Sequence, residues 1–253
     1  MPVLPVSVRL AVWASAAFHG HLDLDEAIDR AHPDLDDYAG DLSRLHLWRE
    51  LGESAVLVAL PRPGDLTGMP RAAIDVSSAA AAAGECVYVA GRGGLLVPAL
   101  SSFGPEGDRG TAAEWTAYDS EPLARHVLES VSLGDLERGL ARAIHESATT
   151  LEEIEGRPWS SQPREDAERR LAADSLGLPS VLAGRAVRLL GTAARVGVIA
   201  DEGLRLAYAG PALDLHSSTL RETGLRRLQT AADAALAGAT NVAVMQVAGW
   251  RPA

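Results

Sequence analysis

The chain has 253 residues, 23 basic and 34 acidic side chains and a formal charge of −11. Every basic side chain is Arg, which excludes P-loop, Schiff-base and kinase-type lysine chemistry. A single Cys excludes an internal disulfide and any multi-Cys zinc or iron–sulfur centre.

The acidity is uneven: residues 1–150 carry 22 acids and 11 Arg, whereas 151–253 carry 12 of each. An acidic half repels phosphate backbones, so nucleic acid is not an expected partner. With 47% hydrophobic residues, few aromatics and abundant Ala, the expected core packs helix against helix through small residues. The first residues lack the positive charge of a signal peptide. The longest apolar stretch, 178–199, carries Arg185, Arg188 and Arg195. Each is unfavourable at a bilayer centre by roughly 3 kcal/mol. A cytoplasmic protein without a membrane span is expected.

Ser7 can cap an Ala-rich helix over 8–18. Alternation of Val6, Val8, Leu10 and Val12 also allows a strand, but Ala14, Ala16 and Ala17 prolong the segment beyond strand length. Asp23 with Glu26 resembles a capping box for a short helix through Ala31. Pro33 suits a helix's first turn, and Leu35, Tyr38, Leu42, Leu45 and Trp48 follow at helical spacing to about Leu51. Residues 54–60, apolar on both faces, predict a central buried strand. Pro70 can start a helix through the five-alanine run to Gly84. Strands at 85–90 and 95–100 flank Gly91-Arg92-Gly93-Gly94, a hairpin signal, and a third strand spans 111–118 with Ala113, Trp115 and Ala117 on one face.

The remainder reads as helical. Ser132 and Asp135 cap a helix with Leu133, Leu136, Leu140, Ile144, Ser147, Leu151 and Ile154 on its face. Residues 156–163 break it and mark the expected boundary, followed by a polar helix at 164–176 and an apolar one at 178–199. Thr219 and Glu222 cap a last helix to Ala239, and 242–250 is ambiguous. The fold class is therefore α+β: a mainly antiparallel four-stranded sheet faced by helices, with a helical C-terminal region. The domains are 1–156, acidic, and 164–253, packed on it. The strand–helix–strand run from 54 to 90 leaves open a parallel crossover and a mixed sheet.

His19-Gly20-His21, with Asp23 and Asp25 nearby, is similar to the His-x-His of metal-dependent amidohydrolases, over those few residues only. A polar loop with Asp23 as N-cap is the expectation, with no metal and no cofactor. Cys86, in an apolar strand beside Glu85, reads as a buried structural thiol. Gly91–Gly94 lacks the third glycine of a dinucleotide fingerprint and reads as a tight turn, with an anion-binding nest at Arg92 as the alternative. Arg221, Arg226 and Arg227 read as solvated or acid-paired faces.

Two loops mix Gly, Pro and charge at strand ends, 61–68 and 103–110. Arg62, Asp65, Arg92, Asp108 and Arg109 would form one ligand-binding cleft if their strands were neighbours. These loops, with Trp115-Thr116-Ala117-Tyr118-Asp119, resemble an uncharacterised actinobacterial protein family, which implies a bacterial protein and no particular activity. The leading expectation is a regulatory module that binds a small anionic ligand and self-associates through its Ala-rich helices. The alternatives are a small hydrolase or transferase using the Arg/Asp loops, and a structural interaction protein without a pocket.

Overall fold

A computed structural model describes residues 4–105, 107–152, 176–209 and 215–252. Among these residues the sheet has five strands: β1 (Asp37–Gly40), β2 (Leu57–Ala59), β3 (Cys86–Tyr88), β4 (Leu95–Phe103) and β5 (Gly110–Tyr118). Their order is β1-β5-β4-β3-β2; β1 runs parallel to β5 and every other pair is antiparallel. The helices are α1 (Val6–Phe18), α2 (Leu24–Ala31), α3 (Arg44–Glu50), α4 (Ile74–Ala83), α5 (Arg125–Glu129), α6 (Leu133–Glu152), α7 (Gly184–Ala209) and α8 (Leu215–Val247). The class is α+β as expected, with one strand more than the four expected and a mixed sheet.

The extra strand is β1, which replaces the first half of the helix expected from Leu35 to Leu51. Gly40 stops any helix there: its φ is 98°, and a Cβ on it would lie 2.8 Å from the Trp115 nitrogen and nearer still to the Trp115 oxygen. Carboxylates extend the ladder past both ends of the strand. Asp36 Oδ2 accepts the Thr111 N–H at 2.8 Å, and Asp41 Oδ2 accepts that of Ala117 at 2.8 Å. His32 ties the same corner from within. Its Nδ1 bonds the Ile28 carbonyl at 2.7 Å, its Nε2 accepts from Trp115 Nε1 at 3.1 Å, and its ring stacks on Tyr38 at 4.5 Å.

The run from β2 to β3 is not a parallel crossover. Residues after β2 carry the chain back along the sheet before α4 begins, so that the Arg71 carbonyl accepts the Glu121 N–H at 2.7 Å, below the far end of β5. The helix then climbs, and β3 descends antiparallel to β2.

Nor is β2 central. It is an edge strand, yet wholly buried, because two helices close its open side with side chains. Ser15 Oγ on α1 accepts the Val56 N–H at 2.9 Å and donates to the Val56 carbonyl at 3.3 Å. Asn241 on α8, the only Asn in the sequence, accepts the Val58 N–H at 2.8 Å and donates to its carbonyl at 2.9 Å. Residues two apart present backbone groups to the same side of a strand, so these two side chains stand where a sixth strand would pair.

Around this sheet the Ala-rich helices are used internally. Ala14 and Ala16 of α1, and Ala232, Ala235, Ala239 and Ala243 of α8, are buried. Ser7 lies inside α1 rather than capping it, and the cap is Pro5. Asp23 caps α2 by accepting the Asp25 N–H, whereas Glu26 pairs with Arg30. Ser132 caps α6 together with Asp135. α7 begins later than expected and runs past Ile199 to Ala209, and α8 absorbs most of the ambiguous segment after Ala239. The expected boundary at 156–163, Ile154 and the expected polar helix to residue 175 lie outside the described residues.

One carboxyl is buried against the start of α1. Glu85 Oε2 accepts the Ser7 N–H at 2.7 Å, and burial pushes its carboxyl above the ordinary 4.5, with the Ser7 bond and the Arg9 charge pulling back. Because the folded value lies above the unfolded one, folding favours the protonated form. That contribution is complete below pH 4.5 and is lost as pH rises through the folded value. Glu85→Gln keeps an acceptor for Ser7 and removes the buried charge. It should raise stability at pH 7 by about 1 kcal/mol and lose this advantage in acid. Urea melts of both proteins at pH 4 and pH 7 check this; a variant less stable at pH 7 would show that Arg9 requires the carboxylate.

Candidate functional site

Taking the end of the sheet where β2 finishes as the upper one, the strand directions place Arg62 and Asp65 above β2 and Asp108 and Arg109 at the β4–β5 tip, also above. Arg92 lies at the lower end, in the β3–β4 turn. The upper loops do not share a cleft. The β4–β5 pairing continues from Val97–Thr116 to Phe103–Gly110 after β3 has ended opposite Leu96. Its tip therefore stands roughly 20 Å beyond the end of β3, while on the other side β1 accompanies β5 as far as Ala112.

Each expected residue has its own local setting. The Arg62 and Asp65 backbones bond each other at 2.8 Å both ways; the Thr67 side chain, and with it the Thr67 N–H that Asp65 Oδ1 accepts, holds the Asp65 carboxyl below the ordinary range. The Arg62 guanidinium grips Asp233 of α8 through Nε at 2.9 Å and Nη2 at 3.3 Å. Burial works most strongly against the Arg62 charge, but the Asp233 bond together with the charges of Asp233, Asp201 and Glu85 outweighs it and raises the pKa. Asp108 closes its own turn, its N–H donating to the Pro105 carbonyl at 3.1 Å, and Arg109 is exposed.

The nest at Gly91-Arg92 exists and already holds an anion of the chain itself. The buried Glu53 carboxylate accepts the Gly91 N–H at 3.2 Å and that of Arg92. From the other side Ser120 Oγ accepts the Gly94 N–H at 2.8 Å. These bonds fix the turn and leave the Arg92 guanidinium without an ion pair among the described residues.

That guanidinium faces a cleft of about 300 Å³. Arg44 and Trp48 enter it from α3, one turn apart on a single helix face. Asp119 and Ser120 enter from the end of β5. Arg44 Nη2 reaches Asp119 Oδ1 at only 3.4 Å, its Nε is buried without a partner, and the Asp119 carboxylate is fully solvated. Such a loose exposed pair holds its cation weakly. Gly94, at φ 101°, lets the turn pack closely on the buried Trp48: a Cβ there would sit 3.4 Å from the indole nitrogen. The cleft thus brings the Arg44 and Arg92 side chains together with the solvated Asp119 carboxylate, beside Trp48 and Leu51.

Two family models match this sequence: Rv1486c-like protein, N-terminal domain, over residues 7–129, and Rv1486c-like protein, C-terminal domain, over residues 134–237. The chain belongs to the Rv1486c-like family. No curated protein and no solved structure matches it. All of the cleft residues named above fall within the N-terminal match of the Rv1486c-like family, whereas Asn241 lies beyond the C-terminal one.

Of the five expected residues, then, Arg92 alone lines the cleft; Arg44, Trp48 and Ser120 were not expected there. Arg44 and Trp48 looked like ordinary helix positions, and their four-residue spacing at the start of a helix was the only signal. Asp119 ends the segment that carried the family resemblance. His19 bonds the Ser54 carbonyl at 2.8 Å and His46 bonds Asp25 at 2.9 Å. Among the described residues no group of three or more His, Cys, Asp or Glu is placed to hold a metal. Cys86 is buried, and burial, with Glu85 adding to it, pushes its thiol up to about 12. Arg226 pairs with Glu222. No helix among the described residues is long and apolar enough to cross a membrane.

Proposed function

We propose that this protein is a cytoplasmic, actinobacterial regulatory module that binds a small anionic ligand in the Arg44–Arg92 cleft. The observation that supports this reading is the pair of underused guanidiniums, Arg44 with a buried Nε lacking a partner among the described residues and Arg92 without an ion pair among them, over one cleft of about 300 Å³. The planar fork of Arg matches carboxylate and phosphate oxygens with two parallel hydrogen bonds. Binding is favoured over catalysis by the lining, which supplies neither imidazole nor thiol among the described residues, and whose hydroxyl, Ser120, is engaged by Gly94. In an otherwise acidic region these two cations are an exception, and small anions suit them better than the long phosphate backbone of a nucleic acid.

Titration calorimetry with inorganic phosphate, pyrophosphate and citrate tests the proposal. At least one should bind, and Arg44→Ala and Arg92→Ala should each weaken it about tenfold or more, the worth of a charge-assisted hydrogen bond. Heat unchanged by either substitution would place any binding elsewhere, and no heat from the intact protein with any of the three would sink the reading.

A further inference from the structure

The sheet treats its open edges unequally. β1 has four residues, begins with Asp37 and is flanked by Asp36 and Asp41, and so presents a short, acidic edge. β2 is closed by Ser15 and Asn241. The third open edge is the upper half of β4. β3 accompanies β4 only at Leu95 and Leu96, while β5 pairs with it all the way to Phe103. From Ala99 to Phe103 the strand is exposed, and no backbone partner among the described residues takes its outer side.

Natural sheets blunt such edges with charges, Pro or a covering element, because an unpaired row of N–H and C=O groups recruits another strand. β4 reads Leu-Leu-Val-Pro-Ala-Leu-Ser-Ser-Phe, without one charge. Its Pro98 sits at the base of the free stretch, where it limits pairing to the residues above rather than preventing it. Leu100 is 51% and Phe103 49% exposed. The Phe103 ring lies over Gly110, where a Cβ would meet it at 2.6 Å, so the tip of the hairpin is held flat and extended.

We propose that this edge is a homodimer interface, in which β4 of one copy pairs antiparallel with β4 of a second copy about a two-fold axis near Ser101. The occupant follows from charge and symmetry. Two chains of −11 repel unless they meet where neither is charged, and the free stretch of β4 is such a place. An antiparallel edge about a two-fold axis is complementary to itself, so no second sequence is required. The axis near Ser101 sets Phe103 of each copy against Ala99 of the other, adding an apolar contact to the backbone bonds. The Ala faces of α1 and α8 are already buried within the chain, which leaves this strand rather than those helices for self-association. The interface is small, so the dimer should be reversible, with a micromolar dissociation constant.

Sedimentation of the full chain at concentrations up to about 100 µM is the first test. A concentration-dependent dimer should appear, and Leu100→Glu, which sets two like charges across the axis at an exposed position, should weaken it at least tenfold with unchanged circular dichroism. A monomer throughout, or a dimer indifferent to Leu100→Glu, overturns the proposal; the first result would leave the edge to a different polypeptide. Should Leu100→Glu fail to fold, Ser101→Cys decides. Cys86 is the only thiol and is buried, and paired Cα atoms on antiparallel strands lie within disulfide reach. Mild oxidation should then give covalent dimers in high yield, well above Ser78→Cys at an exposed site on α4. Equal yields at both positions would overturn the pairing.

Discussion

Asn241→Leu should lower stability by about 3 kcal/mol, among the largest effects of any single partly exposed position. Its effect comes from Val58, whose N–H and carbonyl sit in a fully buried strand and have Asn241 as their partner. A buried backbone group left unpaired loses its hydration without compensation, at about 1–3 kcal/mol each, and Leu abandons two at once. Asn241→Asp separates the two bonds. It keeps an acceptor for the N–H but sets a carboxylate against the carbonyl, so it should be as harmful as Leu at pH 7 and recover part of the loss in acid, where a protonated carboxyl can donate. Urea unfolding of both variants at pH 4 and pH 7 measures this. If Leu loses less than about 1 kcal/mol, water has replaced the side chain and the strand edge is open.

Gly40→Ala should be of similar size, about 3 kcal/mol or more. Its positive φ is strained for any other residue, and the added methyl would overlap the Trp115 backbone. The chain can relieve that overlap only by moving β1 away from β5, which would also release the Asp36 and Asp41 bonds. Hydrogen exchange should then show faster amide turnover at Thr111 and Ala117, with the β2–β3 pairing retained. An alanine variant with native exchange at both amides would mean that β1 is not clamped by this glycine.

Much of the molecule could be read beforehand because its signals are local. The β3–β4 hairpin, the alternation of β5, the Asp23 cap and the Ser132–Asp135 cap each depend on neighbours a few residues apart. β1 could not be read this way. Leu42, Leu45 and Trp48 do turn inward at helical spacing, and Leu35 and Tyr38 continued that spacing by coincidence across a strand whose partner is far along the chain. β2 was legible as buried but not as an edge, since what covers it are single side chains from α1 and α8. The site followed the same division. Arg92 stood out as a charge in a glycine turn, whereas Arg44 matters only because α3 leads into that turn's neighbourhood, and Arg62 was claimed by an acid on the last helix.

The bonds that close β2 have a consequence for synthesis. Val58 and Asn241 are 183 residues apart, so the strand leaves the ribosome long before the carboxamide that completes it. At about 5–20 residues per second the interval is roughly 10–40 s, far longer than a hairpin or a helix needs to form. During that time the nascent N-terminal half carries an apolar strand with one side open, the state in which chains on neighbouring ribosomes can pair wrongly. Whatever shields it then, a chaperone or the chain's own acidic repulsion, is needed for each copy made. A protein truncated before α8 would remain in that state permanently.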